Sequence, residues 1–135
     1  MTNGILIIAH APLASALRQC VLHVFPDCAA TVLAVDVQAH HSLEEGLALA
    51  KAAFRQLGSR EFLVLTDIIG ATPWRVAKDL VDGEHSRLVA GVNLSMLLRA
   101  VTYRNEPLNS LVNRALIGGV EGVKEVQAEN RQLSS

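Results

Sequence analysis

The 135-residue chain is poor in the residues that mark specialised proteins. It holds two cysteines, one tryptophan and one tyrosine, and its formal net charge at pH 7 is −1. Cys20 and Cys28 fit neither a zinc spacing nor a C-x-x-C redox motif, so reduced thiols in a cytoplasmic protein are the simplest reading. Cys20 falls inside a helical pattern and reads as core filler. The near-zero charge leaves no electrostatic footprint for nucleic acid. No apolar run reaches the ~20 residues needed to cross a bilayer, and no basic n-region with an apolar h-region opens the chain. A dinucleotide site needs a glycine-rich turn after the first strand, and none is present.

What the chain does have is apolar residues, half of the total, enough for one domain with a real core. They fall into short runs alternating with amphipathic segments. Ile5 to Ala9 reads as a buried strand, and Pro12 to Val24 as a helix with Leu13, Ala16, Leu17, Cys20 and Val24 along one face. Thr31 to Val37 is a second strand. Ser42-Leu43-Glu44-Glu45 is a capping box, and its helix should run to Leu57 with Gly58 as the stop. Phe62 to Thr66 is the third strand; Thr72 as N-cap and Pro73 in the first turn then open another helix. Arg87 to Val92 is the fourth strand, and Asn93 or Ser95 caps a helix to about Tyr103. The next helix, Leu108 to Ile117, is expected to break at Gly118-Gly119, before a short edge strand over Glu121 to Val126. From Gln127 to Ser135 a polar tail follows a single domain of residues 1–126. Strand and helix alternating in this way predict an α/β fold: a doubly wound, mainly parallel sheet with helices on both faces.

Open sheets of this kind keep their sites at the carboxyl ends of the strands. The first strand ends in His10, the third in Asp67 followed by Ile68-Ile69-Gly70-Ala71-Thr72-Pro73, and the fourth in Asn93. If strands one and three are neighbours, His10 and Asp67 meet. A carboxylate on one imidazole nitrogen fixes the tautomer, frees the other lone pair and stabilises the cation formed on attack. The helix start at Gly70, Ala71 and Thr72 offers free amides and a hydroxyl, a site suited to a phosphoryl group. Each residue alone has a structural reading: a loop histidine, a turn-capping aspartate, an ordinary helix start. A receiver-type aspartyl acceptor needs Mg²⁺ carboxylates after strand one, where Ala9-His10-Ala11 stands. His40-His41 lacks a third metal ligand. A phosphohistidine carrier needs a nucleophilic histidine, an orienting carboxylate and an anion site, with no metal and no cofactor. A non-catalytic dimerisation module with an incidental His10 remains open on the residues alone.

The blocks ILIIAHAPLA, LTDIIGATPWRVA, VAGVNLSML and EGVKEV, in this order and spacing, resemble the IIA component of the mannose-type phosphotransferase system, the mannose, fructose and sorbose family. The resemblance runs from about Gly4 to Val126. It implies four parallel strands plus a fifth, antiparallel strand over Glu121 to Val126, which family dimers exchange. It further implies that His10 takes a phosphoryl group on Nε2 from the small carrier HPr and hands it to a histidine of a IIB component. On the same basis Asp67 orients His10, and Thr72 lies against the phosphoryl group. A homodimer in the cytoplasm, at most peripherally associated with a membrane permease, goes with that reading. A regulatory phosphorylation-state sensor without a permease is the alternative. The chain departs from the family pattern at Ala11 and Ala71, where glycine is usual, at Arg75, where asparagine is usual, and at Ser95, where proline is usual. Arg75 and Asn93 are therefore candidate partner-binding residues.

Overall fold

The computed structural model of the chain describes residues 2–129. Four strands, β1 (Gly4–His10), β2 (Val32–Val37), β3 (Phe62–Thr66) and β4 (Ser86–Ala90), alternate with helices α1 (Leu13–Val24), α2 (Leu43–Leu57) and α3 (Thr72–Leu80). Helices α4 (Leu94–Thr102) and α5 (Leu108–Glu121) complete the chain, and a single 3₁₀ turn, Pro26–Cys28, leads out of α1. All strand pairs are parallel, in the order β2-β1-β3-β4.

Side chains alternate across the sheet, so each strand feeds two cores. Ile5, Ile7 and Ala9 of β1, with Leu63 and Leu65 of β3, pack under α1, α4 and α5. Leu6, Ile8 and Val64 pack on the other face with Val76 and Ala77 of α3 and Ala50 of α2. Burial on both faces is why these strands read as unbroken apolar runs. The connection from β1 runs to one side of the sheet and that from β3 to the other. Their carboxyl ends therefore face a crevice at the point where the winding reverses.

Local signals hold where they are self-contained. The Glu45 amide donates to Ser42 Oγ at 3.1 Å, the Ser42 amide donates to Glu45 Oε1 at 2.9 Å, and Gly58 ends α2 with φ +66°. Asn93 caps α4, its Oδ1 accepting from the Met96 amide at 2.8 Å.

Three expectations are corrected. The buried stripe of α1 is Ala14, Leu17 and Val21, whereas Leu13 and Val24 are exposed and Cys20 is a free, exposed thiol. Apolar residues cover more than half of this helix, so its period fits two stripes, and the sheet selects the one facing it. Helix α5 does not break at Gly118-Gly119 but continues to Glu121. A Cβ on Gly118 would lie 2.6 Å from Arg99 Cβ, and one on Gly119 would lie 2.6 Å from Met96 Cε. The two glycines let α4 and α5 approach closely. Ser95 Oγ donates to the Gly118 carbonyl at 2.7 Å and Asn93 Nδ2 to the Gly119 carbonyl at 3.1 Å, so the two helices are also joined by hydrogen bonds. The third correction follows from the second. Glu121 belongs to α5, residues 123–129 carry no strand and are exposed, and the sheet of the described residues has four strands. Within one chain nothing draws this segment onto the free edge of β4. The polar tail expected from Gln127 lies, beyond Glu129, outside the described residues.

Candidate functional site

Because β1 and β3 are paired, with Ile8 opposite Thr66, the residues that follow these two positions come together at the crevice. His10 Nδ1 lies 2.6 Å from Asp67 Oδ2, and the His10 backbone amide donates to the same oxygen at 3.0 Å. Asp67 Oδ1 accepts from the Ile68 amide at 2.9 Å. The Asp67 side chain is 9 % exposed and that of His10 51 %. Burial alone would raise the Asp67 pKa, but the His10 amide, the His10 ring and the Ile68 amide outweigh it and hold the carboxyl below its usual range. An ionised Asp67 can only accept, so the short contact places a proton on His10 Nδ1. In the neutral imidazole this leaves the lone pair on Nε2, on a half-exposed ring.

The loop between Asp67 and α3 supplies amides. Gly70 adopts φ +90°, a conformation that glycine takes at little cost. Ala71, and not Thr72, is the N-cap, in extended backbone, and Thr72 is the first helical residue with an exposed hydroxyl. The shift by one residue frees the Thr72 hydroxyl from capping. The Ala71 amide donates to Ile68 and the Arg75 amide to Ala71, leaving those of Ile69, Gly70, Thr72 and Trp74 without an acceptor among the described residues. Free amides at a helix start favour an anion through their partial charge and the helix dipole. Among the described residues only glycines have positive φ, so the methyls of Ala11 and Ala71 impose no left-handed backbone.

The remaining candidates divide. Asn93 spends its carbonyl on Met96 and its amide on Gly119, which makes it a structural residue of the α4–α5 contact. Arg75 is exposed on α3 and forms no ion pair or side-chain hydrogen bond among the described residues. It lines a surface groove with Leu43, Trp74, Lys78 and Asp79. His41 accepts from the Gln38 amide at 2.9 Å, and no group of three His, Cys, Asp or Glu side chains among the described residues is placed to hold a metal ion.

Sequence reasoning passed over two features. Ile68 and Ile69 stand 62 % and 71 % exposed beside His10, an apolar rim whose signal was a pair of large aliphatics directly after the strand-end aspartate. Asp36, at the end of β2, accepts from both the amide and the hydroxyl of Ser15 and so fixes the first turn of α1 just behind His10. Its signal was a lone carboxylate in an apolar strand.

A doubly wound sheet with a histidine held by a carboxylate at its switch point, next to an open helix start, places the chain among the α/β proteins that keep a site at the carboxyl ends of their strands. Comparison with known proteins narrows this class. The family model described as "PTS system fructose IIA component" matches residues 4–116, and the chain belongs to that family, the mannose-type IIA family of the sugar phosphotransferase system. It is 37% identical over 70 residues to the mannose-specific EIIAB component of Escherichia coli K12; the match takes in 50% of this chain but 22% of that protein's length. Among solved structures, it is similar to the phosphotransferase component EIIA of Streptococcus agalactiae, with a TM-score of 0.78, 26% identity, and coverage of 91% and 96% of the two chains. The mannose/sorbose-specific IIA subunit of Enterococcus faecalis shares the fold at a TM-score of 0.83 and 23% identity, covering 96% of this chain and 98% of that one. No helix among the described residues is long and apolar enough to cross a membrane.

Proposed function

We propose that the chain is a phosphohistidine carrier that accepts a phosphoryl group from phospho-HPr on His10 and passes it to a histidine of a IIB component during sugar uptake. The observation that carries this reading is the 2.6 Å contact between His10 Nδ1 and Asp67, which leaves Nε2 as the nucleophile. In the transfer, the Nε2 lone pair forms a bond to phosphorus as the bond from phosphorus to the donor imidazole breaks, and the donor nitrogen keeps that electron pair. The Nδ1 proton stays in place, and the positive charge gained by the His10 ring lies against the Asp67 carboxylate. The amides of Gly70 and Thr72, together with the Thr72 hydroxyl, stabilise the equatorial oxygens; Ala71 shapes the turn that presents them. Such catalysis is positioning and electrostatics, and few groups suffice. The same geometry run in reverse delivers the group to the acceptor.

The working form in this proposal is a homodimer in which the segment after α5, residues 123–126, adds to the β4 edge of the other copy. Two observations support it: Val123 and Val126 are 75 % and 82 % exposed, and β4 has an unpaired edge among the described residues.

The test is incubation with phosphoenolpyruvate, enzyme I and HPr, read by intact mass. Wild type should gain one phosphate that is labile in acid and stable in base, and His10→Ala should gain none. A wild type that stays unmodified while HPr itself is phosphorylated would overturn the proposal.

A further inference from the structure

We infer that Arg75 and Lys78 make α3 a reader of the donor's charge state: this surface favours docking of the phosphorylated donor domain over the same domain once it has lost its phosphoryl group. The inference rests on the carrier reading above and deepens it by assigning a selectivity that the His10–Asp67 pair does not supply.

The argument begins with the faces of α3. Pro73, Val76 and Ala77 are buried, so the opposite side presents Arg75 and Lys78 to solvent, with the half-buried Trp74 beside them. Lys78 Nζ lies 5.0 Å from the centre of the Trp74 ring, which holds this cation one turn closer to the helix start than its own Cα. Arg75 is one turn in from Ala71, and helical side chains lean towards the N-terminus, so its charge is directed to the same end of α3 as the open amides. Neither cation is neutralised by an ion pair among the described residues. The carboxylates near the site offset part of this charge without pairing with it. The oxygens of Asp67 are taken by the His10 ring, the His10 amide and the Ile68 amide, and Asp79 is the one carboxylate lining the groove, against two cations.

A side-chain phosphoryl group carries about −1.5 to −2 charges near neutral pH. Two unpaired cations beside four open amides therefore attract a donor that bears this group and gain little from one that does not. Transfer reverses the balance. Once the group sits on His10, its charge offsets Arg75 and Lys78, and the spent donor faces a neutralised surface. The patch thus promotes arrival of the loaded donor and departure of the empty one. Attraction between exposed charges is screened by salt, so the preference should shrink as ionic strength rises.

The experiment uses His10→Gln, which cannot accept the group, and titrates it with phospho-HPr and with HPr at low and at physiological salt. The expected result is tighter binding of phospho-HPr, with the preference falling at least about threefold on adding Arg75→Gln and about tenfold with Lys78→Gln as well. Affinity for unphosphorylated HPr should change little. An unchanged preference overturns the inference. Equal weakening of both forms also overturns it, since the cations would then be reading the donor's own acidic face. If wild type takes no phosphoryl group at all, the carrier reading fails and this inference falls with it; a phosphorylated wild type with unaltered preference sinks this inference alone.

Discussion

His10 and Asp67 are separated by 57 positions in the chain, yet Nδ1 and Oδ2 stand 2.6 Å apart because their strands are adjacent and parallel. The contact is stiff on both sides. His10 offers its backbone amide as well as its ring to one carboxylate oxygen, and the Ile68 amide occupies the other. The ring's orientation thus follows from sheet geometry and does not depend on a flexible loop.

Replacing Asp67 should expose that dependence. Asp67→Ala removes the group that fixes the tautomer and offsets the ring's positive charge, and is expected to slow phosphorylation of His10 by at least about tenfold. Asp67→Asn should also slow it, since a carboxamide can orient the ring but carries no charge. Single-turnover transfer from phospho-HPr measures both. An unchanged rate in Asp67→Ala would remove this residue from the site.

Much of this arrangement was legible in the sequence, and the parts that were not share a cause. Neighbouring parallel strands bring their ends together, so the pairing of His10 with Asp67 needed only the strand order. The α2 boundaries were readable because Ser42, Glu45 and Gly58 act within a few residues of one another. The buried face of α1 was misplaced because Leu13, Ala14, Ala16, Leu17, Cys20 and Val21 support more than one stripe. The run of α5 through Gly118-Gly119 was missed because those glycines answer to Met96 and Arg99 on another helix. A glycine pair read locally is a break; read against a neighbouring helix it is a contact surface. Ile68, Ile69 and the Asp36–Ser15 link likewise acquire meaning only once distant segments are assembled.

Acid stability should depend on Asp82. Its Oδ1 accepts from the amides of Glu84 at 2.8 Å, Ser86 at 2.9 Å and His85 at 2.8 Å, and these donors, Glu84 and Ser86 foremost, lower its pKa to about 2. A depressed folded-state pKa gives stability that is fully present above the unfolded value of about 3.9 and is lost as pH falls towards the folded value. Asp67, also depressed, acts with the same sign. Asp82→Asn can still accept these bonds but no longer titrates. Its urea midpoint should therefore fall less than that of wild type between pH 6 and pH 3, and parallel losses would show that Asp82 contributes nothing to the acid limb.

Thr66 presents the opposite case, a polar group with no partner. Its side chain is fully buried beneath the start of α3, and its hydroxyl meets no donor or acceptor. Valine has nearly the same shape and nothing to satisfy, so Thr66→Val is expected to raise stability by about 1 kcal/mol. Urea denaturation of the pair decides it. A loss of similar size would mean that the hydroxyl is bonded in solution, through a buried water.

The α4–α5 contact gives the sharpest graded expectation. At Gly118 an added methyl would meet Arg99 Cβ at 2.6 Å, next to the backbone, where nothing can swing away. At Gly119 the obstacle is Met96 Cε, also at 2.6 Å but at the far end of a flexible side chain. Alanine also gains helix propensity over glycine by about 1 kcal/mol at either position. Gly118→Ala should therefore cost about 1–3 kcal/mol as overpacking outweighs propensity, while Gly119→Ala should come out near neutral. Thermal melts of the two variants test the order. Equal and large losses at both would show that Met96 cannot yield, whereas equal and small losses would mean that α4 and α5 are less tightly apposed than the distances require.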